Sequence, residues 1–223
     1  MDLQRPYYLV LGDLKRSTQP AGKIAPVAIN RLIQAVSQVS QTYAADLVLP
    51  MEVNYGDEFA GLFHTPARIY DVIDHLRDAL RGATEFRVAI AYDHIGNAAD
   101  TMRQMGGPAF QTANDALLEL KKRDAFCTWH VASALEDQTL TVLANAADGL
   151  RQAMTDYQYE VFRLLGSGMS QIDIARRLEK FEQSISTAAK RGQADLALAL
   201  DLTLRQRLKA LQEGALGHAD GSV

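Results

Sequence analysis

The sequence predicts a mixed α/β (α+β) fold joined to an all-α segment. Two observations separate the parts. Short β-rich apolar runs alternate with longer stretches of helical periodicity as far as about residue 131. Strand signals then stop, and Ala, Leu, Gln and Arg dominate to about Gln212. A third observation gives the topology. The first six elements run β-α-β-β-α-β, the ferredoxin-like pattern of a palm, and one further helix and strand extend it.

Tyr7–Gly12 (YYLVLG) is a buried strand that runs into Gly12-Asp13. Lys15 to Pro20 is a polar loop. From about Ala25 to Ala45, Val27, Leu32, Val36 and Val39 recur at helical spacing. Leu47–Val53 and Glu58–Phe63 are strands joined by the turn residues Asn54-Tyr55-Gly56-Asp57, which makes a β-hairpin. Thr65 and Pro66 read as the N-cap and first position of a helix to Leu80, and Gly82 ends it. Phe86–Tyr92 is a strand, about Ala109 to Arg123 a helix, and Ala125–Val131 the last strand. The expected division is an α/β domain over 1–135, a helical domain over 136–213 and a frayed tail over 214–223.

Composition narrows the function classes. Apolar residues make up 48% and charged residues 22%, as in a globular protein with a full core. The formal net charge of −4 excludes a chain that is basic throughout. Cys127 is the only cysteine, so no internal disulfide is possible, and its apolar setting predicts burial with Trp129. No secretory segment and no apolar run of membrane length is present, so the cytoplasm is the expected location. The five histidines show no zinc-ligand spacing, and Walker A, G-x-S-x-G and Rossmann fingerprints are absent.

Asp13 follows the first strand and Asp57 follows the hairpin turn. If the hairpin pairs beside strand 1, both carboxylates leave one end of one sheet. Two carboxylates that close repel unless a cation lies between them. A hard cation, Mg²⁺ or Mn²⁺, suits such oxygen donors and takes its remaining ligands from phosphates. Aspartate is also favoured wherever strands end, so a purely structural role stands beside the metal-binding one. Alternation sends Glu58 to the opposite face from Asp57. Lys15, Arg16, Ser17 and Thr18 lie between strand 1 and the first helix, where basic side chains and backbone N–H groups can cradle a phosphate.

Three phrases carry a resemblance: Leu11-Gly12-Asp13-Leu14-Lys15-Arg16-Ser17, Tyr55-Gly56-Asp57-Glu58-Phe59-Ala60-Gly61 and Gly107-Pro108-Ala109-Phe110. They are similar to those of the bacterial SatD family. The Asp13 loop and the hairpin also resemble the palm of class III nucleotidyl cyclases and GGDEF diguanylate cyclases, which implies metal binding by Asp13 and Asp57. The same resemblance exposes departures. Val53 stands where the cyclases have a base-reading lysine. Gln111 and Asp115 stand where they have a ribose-orienting Asn and a charge-stabilising Arg. An aspartate there repels a nucleotide phosphate. The implied domain therefore binds a nucleotide or other phosphorylated small molecule without turning it over. An active cyclase or transferase, and an interaction protein with structural aspartates, are the alternatives.

In the helical segment, Tyr157, Val161, Leu164 and Leu165 mark one helix, broken at Gly166-Ser167-Gly168. Ser170 reads as the N-cap of a short helix carrying Ile174, Ala175 and Leu178. A three-residue turn leads to a helix from Glu182 to Arg191 with Ile185 inward. This spacing resembles a helix-turn-helix over about 157–192. In such motifs the turn begins with glycine and continues with an apolar residue. Here those places hold Glu179 and Lys180, with Phe181 as the substitute for the apolar one. The resemblance implies duplex DNA as partner. Gln183, Ser184 and Thr187 would face base edges, and Lys190 and Arg191, with Arg176 or Arg177, would meet phosphates. The apolar helix from about Asp195 to Leu211 suits a homodimer.

Overall fold

The computed structural model describes residues 1–15, 25–54 and 56–214. The chain divides into two compact units, Met1–Thr141 with the segment from Arg207, and Val142–Gln206.

The first unit is built on a five-stranded sheet of order β2-β3-β1-β4-β5. Its strands are β1 (Tyr7–Leu14), β2 (Leu47–Asn54), β3 (Glu58–Phe63), β4 (Phe86–Asp93) and β5 (Cys127–His130). β1 runs antiparallel to both β3 and β4, β2 antiparallel to β3, and β5 parallel to β4. The helices are α1 (Pro26–Thr42), α2 (Ile69–Leu80) and α3 (Pro108–Arg123). All eight residues of β1 are buried because both faces of the sheet are covered. Tyr7, Leu9 and Leu11 share a core with Ala109, Ala113, Leu117 and Leu120 of α3. Alternation sends Tyr8 and Val10 to the other face, where α1 and α2 pack on each other. There Arg77 of α2 lies 4.7 Å from the centre of the Phe126 ring.

Gly12 is needed for close approach. A Cβ at this position would lie 2.2 Å from Cζ of Phe59 and 2.6 Å from the Arg87 carbonyl oxygen. The β2 edge is blunted by Pro50 and by Ser40 of α1, whose Oγ accepts the Met51 N–H at 2.9 Å.

Several boundaries differ from those the sequence suggests. β1 continues through Asp13 to Leu14, so Asp13 lies inside the strand rather than after it. α2 begins at Ile69 with Arg68 as N-cap, and Thr65 does not cap it. The Ile69 N–H instead bonds the Pro66 carbonyl at 3.1 Å, closing a tight turn before the helix. β5 stops at His130 because Asp137 Oδ1 accepts the next two amides, Val131 and Ala132, at 2.8 and 2.9 Å. A 3₁₀ turn at Met102–Gln104 has no counterpart in the sequence reading. Its first N–H donates to Glu52 at 3.0 Å.

α4 (Ala134–Ala153) begins in the first unit and ends in the second, and α8 (Ala194–Gln212) does the reverse. Within the first unit, Arg207 grips Glu136 bidentately. The second unit holds α5 (Asp156–Gly166), α6 (Gln171–Arg177) and α7 (Glu182–Arg191). Val161, Phe162, Ile174, Ala175, Ile185, Ala188 and Ala197 form its core. The buried Arg151 guanidinium stacks 5.1 Å from the Phe162 ring centre and pairs with Asp201. No helix among the described residues is long and apolar enough to cross a membrane.

Candidate functional site

The first candidate site lies at the end of β1. Strand register sets four polar residues in one row across the sheet: Asn54 opposite Glu58, Glu58 opposite Asp13, and Asp13 opposite Arg87. Residues directly opposite share a face, so Glu58 stands on the face of Asp13. Asp57 lies one residue farther on, in the turn, where its carbonyl accepts the Leu14 N–H at 3.0 Å. The backbones of Asp13 and Asp57 are thus brought side by side at one end of the sheet, with alternation sending the Asp57 side chain to the face opposite Glu58.

Asp13 is buried, and its Oδ2 meets Nζ of Lys121 at 2.6 Å. Its Oδ1 is buried without a hydrogen-bond partner. Asn54 Oδ1 and Arg87 Nε, in the same row, are also buried and unpartnered. Orphaned polar atoms of this kind are uncommon, because each costs the desolvation of a group with nothing in return.

The donor set bears on the expected Mg²⁺ or Mn²⁺. Asp13 offers one unengaged oxygen, and Lys121 already places a positive charge on the other. No group of three His, Cys, Asp or Glu among the described residues is arranged to hold a metal ion. A divalent ion held by Asp13 and Asp57 would therefore need further oxygens from its ligand, as from a phosphate.

Lys121 and the Asn54–Arg87 row were not apparent from the sequence. Lys121 had a signal: it continues the sheet-facing stripe Ala113–Leu117 at i+4 spacing, where a cation is out of place unless it meets a carboxylate. The row depends on the register of β1 against β3 and β4, which no local pattern encodes.

Of the four expected phosphate-binding residues, Arg16, Ser17 and Thr18 lie outside the described residues. Lys15 is engaged elsewhere. Its ammonium meets Glu85 at 3.0 Å and Asp124 at 3.1 Å, and Arg87 joins Asp124 at 2.9 Å. Partial burial lowers the Lys15 pKa, but the hydrogen bonds and charges of Glu85 and Asp124 outweigh it and leave the value raised. Val53 is half-buried on β2, while Gln111 and Asp115 are exposed on α3.

The second candidate site is the α5–α7 cluster. Ser170 Oγ accepts the Asp173 N–H at 3.2 Å, the cap expected from the sequence. Thr155 and Gln158 form a capping box at the start of α5 that the sequence reading did not identify. Ile185 is fully buried, whereas Gln183, Thr187, Lys190 and Arg191 are exposed and Ser184 is half-buried. These five fall on one side of α7 at spacings of three and four residues. Arg176 and Arg177 are exposed on α6, and Arg176 pairs with Asp173 at 3.3 Å.

α6 ends in a Schellman motif. The Lys180 N–H bonds the Ala175 carbonyl at 2.9 Å, the Glu179 N–H bonds the Arg176 carbonyl at 3.3 Å, and Glu179 has φ +53°. This is the left-handed position for which glycine is expected. Phe181 does not serve as the inward apolar residue of the turn, because it is 83% exposed.

Comparison with known proteins gives a family. No curated protein matches the chain. Solved structures include a crystal structure of a regulator of polyketide synthase expression from Bifidobacterium adolescentis, at 13% identity, covering 91% of this chain and 82% of that one. Its TM-score of 0.31 is too low to establish a common fold. The profile of the SatD family matches residues 7–212, nearly the whole chain, and the protein belongs to the SatD family.

Proposed function

We propose that this SatD-family protein is a regulator with two binding parts. A palm of the ferredoxin-like, cyclase-related kind binds a nucleotide or other phosphorylated small molecule with Mg²⁺ or Mn²⁺. A helix-turn-helix formed by α6 and α7 binds duplex DNA.

The observation that carries this reading is the division of α7 into two faces. Ile185, Ala188 and Ala189 are buried against the cluster, and the other side leaves Gln183, Thr187, Lys190 and Arg191 free to solvent. That side combines amides and hydroxyls suited to base edges with cations suited to phosphates. The exposed Leu196 and Leu202 of α8 support a homodimer, which a two-half-site operator requires.

For the palm, the support is the strand order together with the orphaned Asp13 and Asn54 oxygens at the end of the sheet. Asp13 and Asp57 would hold the ion, and the ion would neutralise phosphate charge. With Val53, Gln111 and Asp115 in place of base-reading, ribose-orienting and charge-stabilising groups, the palm binds rather than catalyses.

The test is a thermal-shift series with ATP, GTP and inorganic phosphate, with and without Mg²⁺ or Mn²⁺. A ligand that binds only the folded state raises its apparent stability. The expected result is a metal-dependent shift that Asp13→Asn and Asp57→Asn both abolish. Equal shifts in the parent and both variants would remove the shared site. Robust cyclic-nucleotide formation lost in Asp13→Ala would replace the binding role with an enzymatic one.

A further inference from the structure

We propose that Phe181 is a base-reading residue whose ring packs on the 5-methyl group of a thymine in the major groove. The proposal rests on the DNA-binding reading of α7 and adds to it a residue outside the polar set.

Phe181 breaks two rules of helix construction at once. It occupies the N-cap of α7, where Ser, Thr, Asp or Asn is favoured because a side-chain oxygen accepts a free N–H. Its side chain makes no capping hydrogen bond. The other two helix starts of the cluster obey the rule, with Thr155 and Ser170 as side-chain caps. A phenyl ring also belongs in a core, yet this one is 83% exposed. The fold uses only its backbone, whose carbonyl accepts the Ser184 N–H at 2.9 Å. Positions where local rules fail without a structural gain are where function is concentrated.

The neighbours of the ring identify its partner. Phe181 lines a groove of about 460 Å³ with Gln183, Ser184, Thr187 and Arg191. Beyond the ring and the exposed Glu182, α7 presents the Gln183 amide, the Ser184 and Thr187 hydroxyls, and the Lys190 and Arg191 cations. A protein-docking patch would be apolar at its centre and charged at its rim. Thr155, Tyr157 and Gln158 of the α5 start form the groove's other wall, and along α7 this surface is a row of polar side chains that begins at the exposed ring. The major groove is its complement: hydrogen-bonding base edges, flanking phosphates, and the thymine methyl as the apolar feature.

The experiment selects duplex sites from random DNA with the full chain. It then measures affinity for the selected site with each thymine replaced in turn by deoxyuridine, which removes only the methyl. One thymine per half-site should show a loss of about three- to ten-fold, the worth of one buried methyl group. Phe181→Ser should bind thymine and uracil forms alike. Because serine is a better N-cap, its unfolding midpoint should equal or exceed that of the parent, which separates the loss from misfolding. Sites that are selected but indifferent to every deoxyuridine, or a sensitivity that Phe181→Ser retains, would overturn the role of Phe181 while leaving DNA binding intact. Selection of no sequence by the parent would defeat the DNA reading, and this proposal with it.

Discussion

Glu179→Gly should stabilise the protein, and the size of the effect follows from the turn between α6 and α7. Glu179 sits at φ +53° in the left-handed region, where a side chain other than glycine costs about 1–2 kcal/mol. Replacing it with glycine relieves that cost but gives the unfolded chain more freedom, a loss of about 0.5–1 kcal/mol. The side chain is exposed and forms no ion pair among the described residues, so little else is lost. The net gain is about 0.5–1 kcal/mol, or about 1–4 °C in Tm for a chain of this size. Urea unfolding of parent and variant, followed by circular dichroism, measures it. Glu179→Ala serves as the control, because it keeps the Cβ and should gain nothing. A destabilised glycine variant, or equal gains in both, would refute a left-handed Glu179 in a Schellman turn.

Three further perturbations probe the first unit. Lys121→Met leaves the buried Asp13 carboxylate without its cation. Because Lys121 is 40% exposed, the loss should be about 1–3 kcal/mol, below that of a fully buried pair, and Asp13→Leu in the same chain should recover most of it. Gly12→Ala drives a methyl into Phe59 and the Arg87 carbonyl, so denaturation should show a loss of about 1–3 kcal/mol or more. The Asp124 carboxyl is held below its ordinary value, first by the hydrogen bond from Lys15 and then by the charges of Lys15 and Arg87. Its stabilisation is therefore present above about pH 4 and lost as pH falls through the depressed value. Asp124→Asn should flatten the acid limb of the stability profile there and leave its neutral region with the same shape.

Much of the architecture was legible because it is written locally. Buried strands such as Tyr7–Leu14 announce themselves as apolar runs, and α3 is bounded by Gly107-Pro108 at its start. The hairpin followed from four turn residues. What the sequence hid depends on distant partners. Asp13 reads as a residue beyond a strand until β3 and β4 pair with it on both sides. Lys121 reads as one of several cations ending a helix until the helix is laid on the sheet. Lys15 looks like a free phosphate ligand because Glu85 and Asp124 are far away in sequence. Phe181 reads as an inward residue by resemblance, since exposure is a property of packing and not of residue type.

The central claim is that α7 binds DNA, and recovery of genomic fragments by the full chain tests it most directly. Parent protein and a Lys190→Ala/Arg191→Ala variant are each used to capture sheared DNA at near-physiological salt, and the enriched fragments are sequenced. A small set of enriched sites is expected for the parent. General weakening across all of them is expected in the variant, because in the proposed interface those two cations would neutralise phosphates and read no base. Gln183→Ala should instead alter preference at one position, a change worth about 1–3 kcal/mol there. No enriched DNA from the parent, or the same enriched set at undiminished yield from the Lys190/Arg191 variant, would contradict the account.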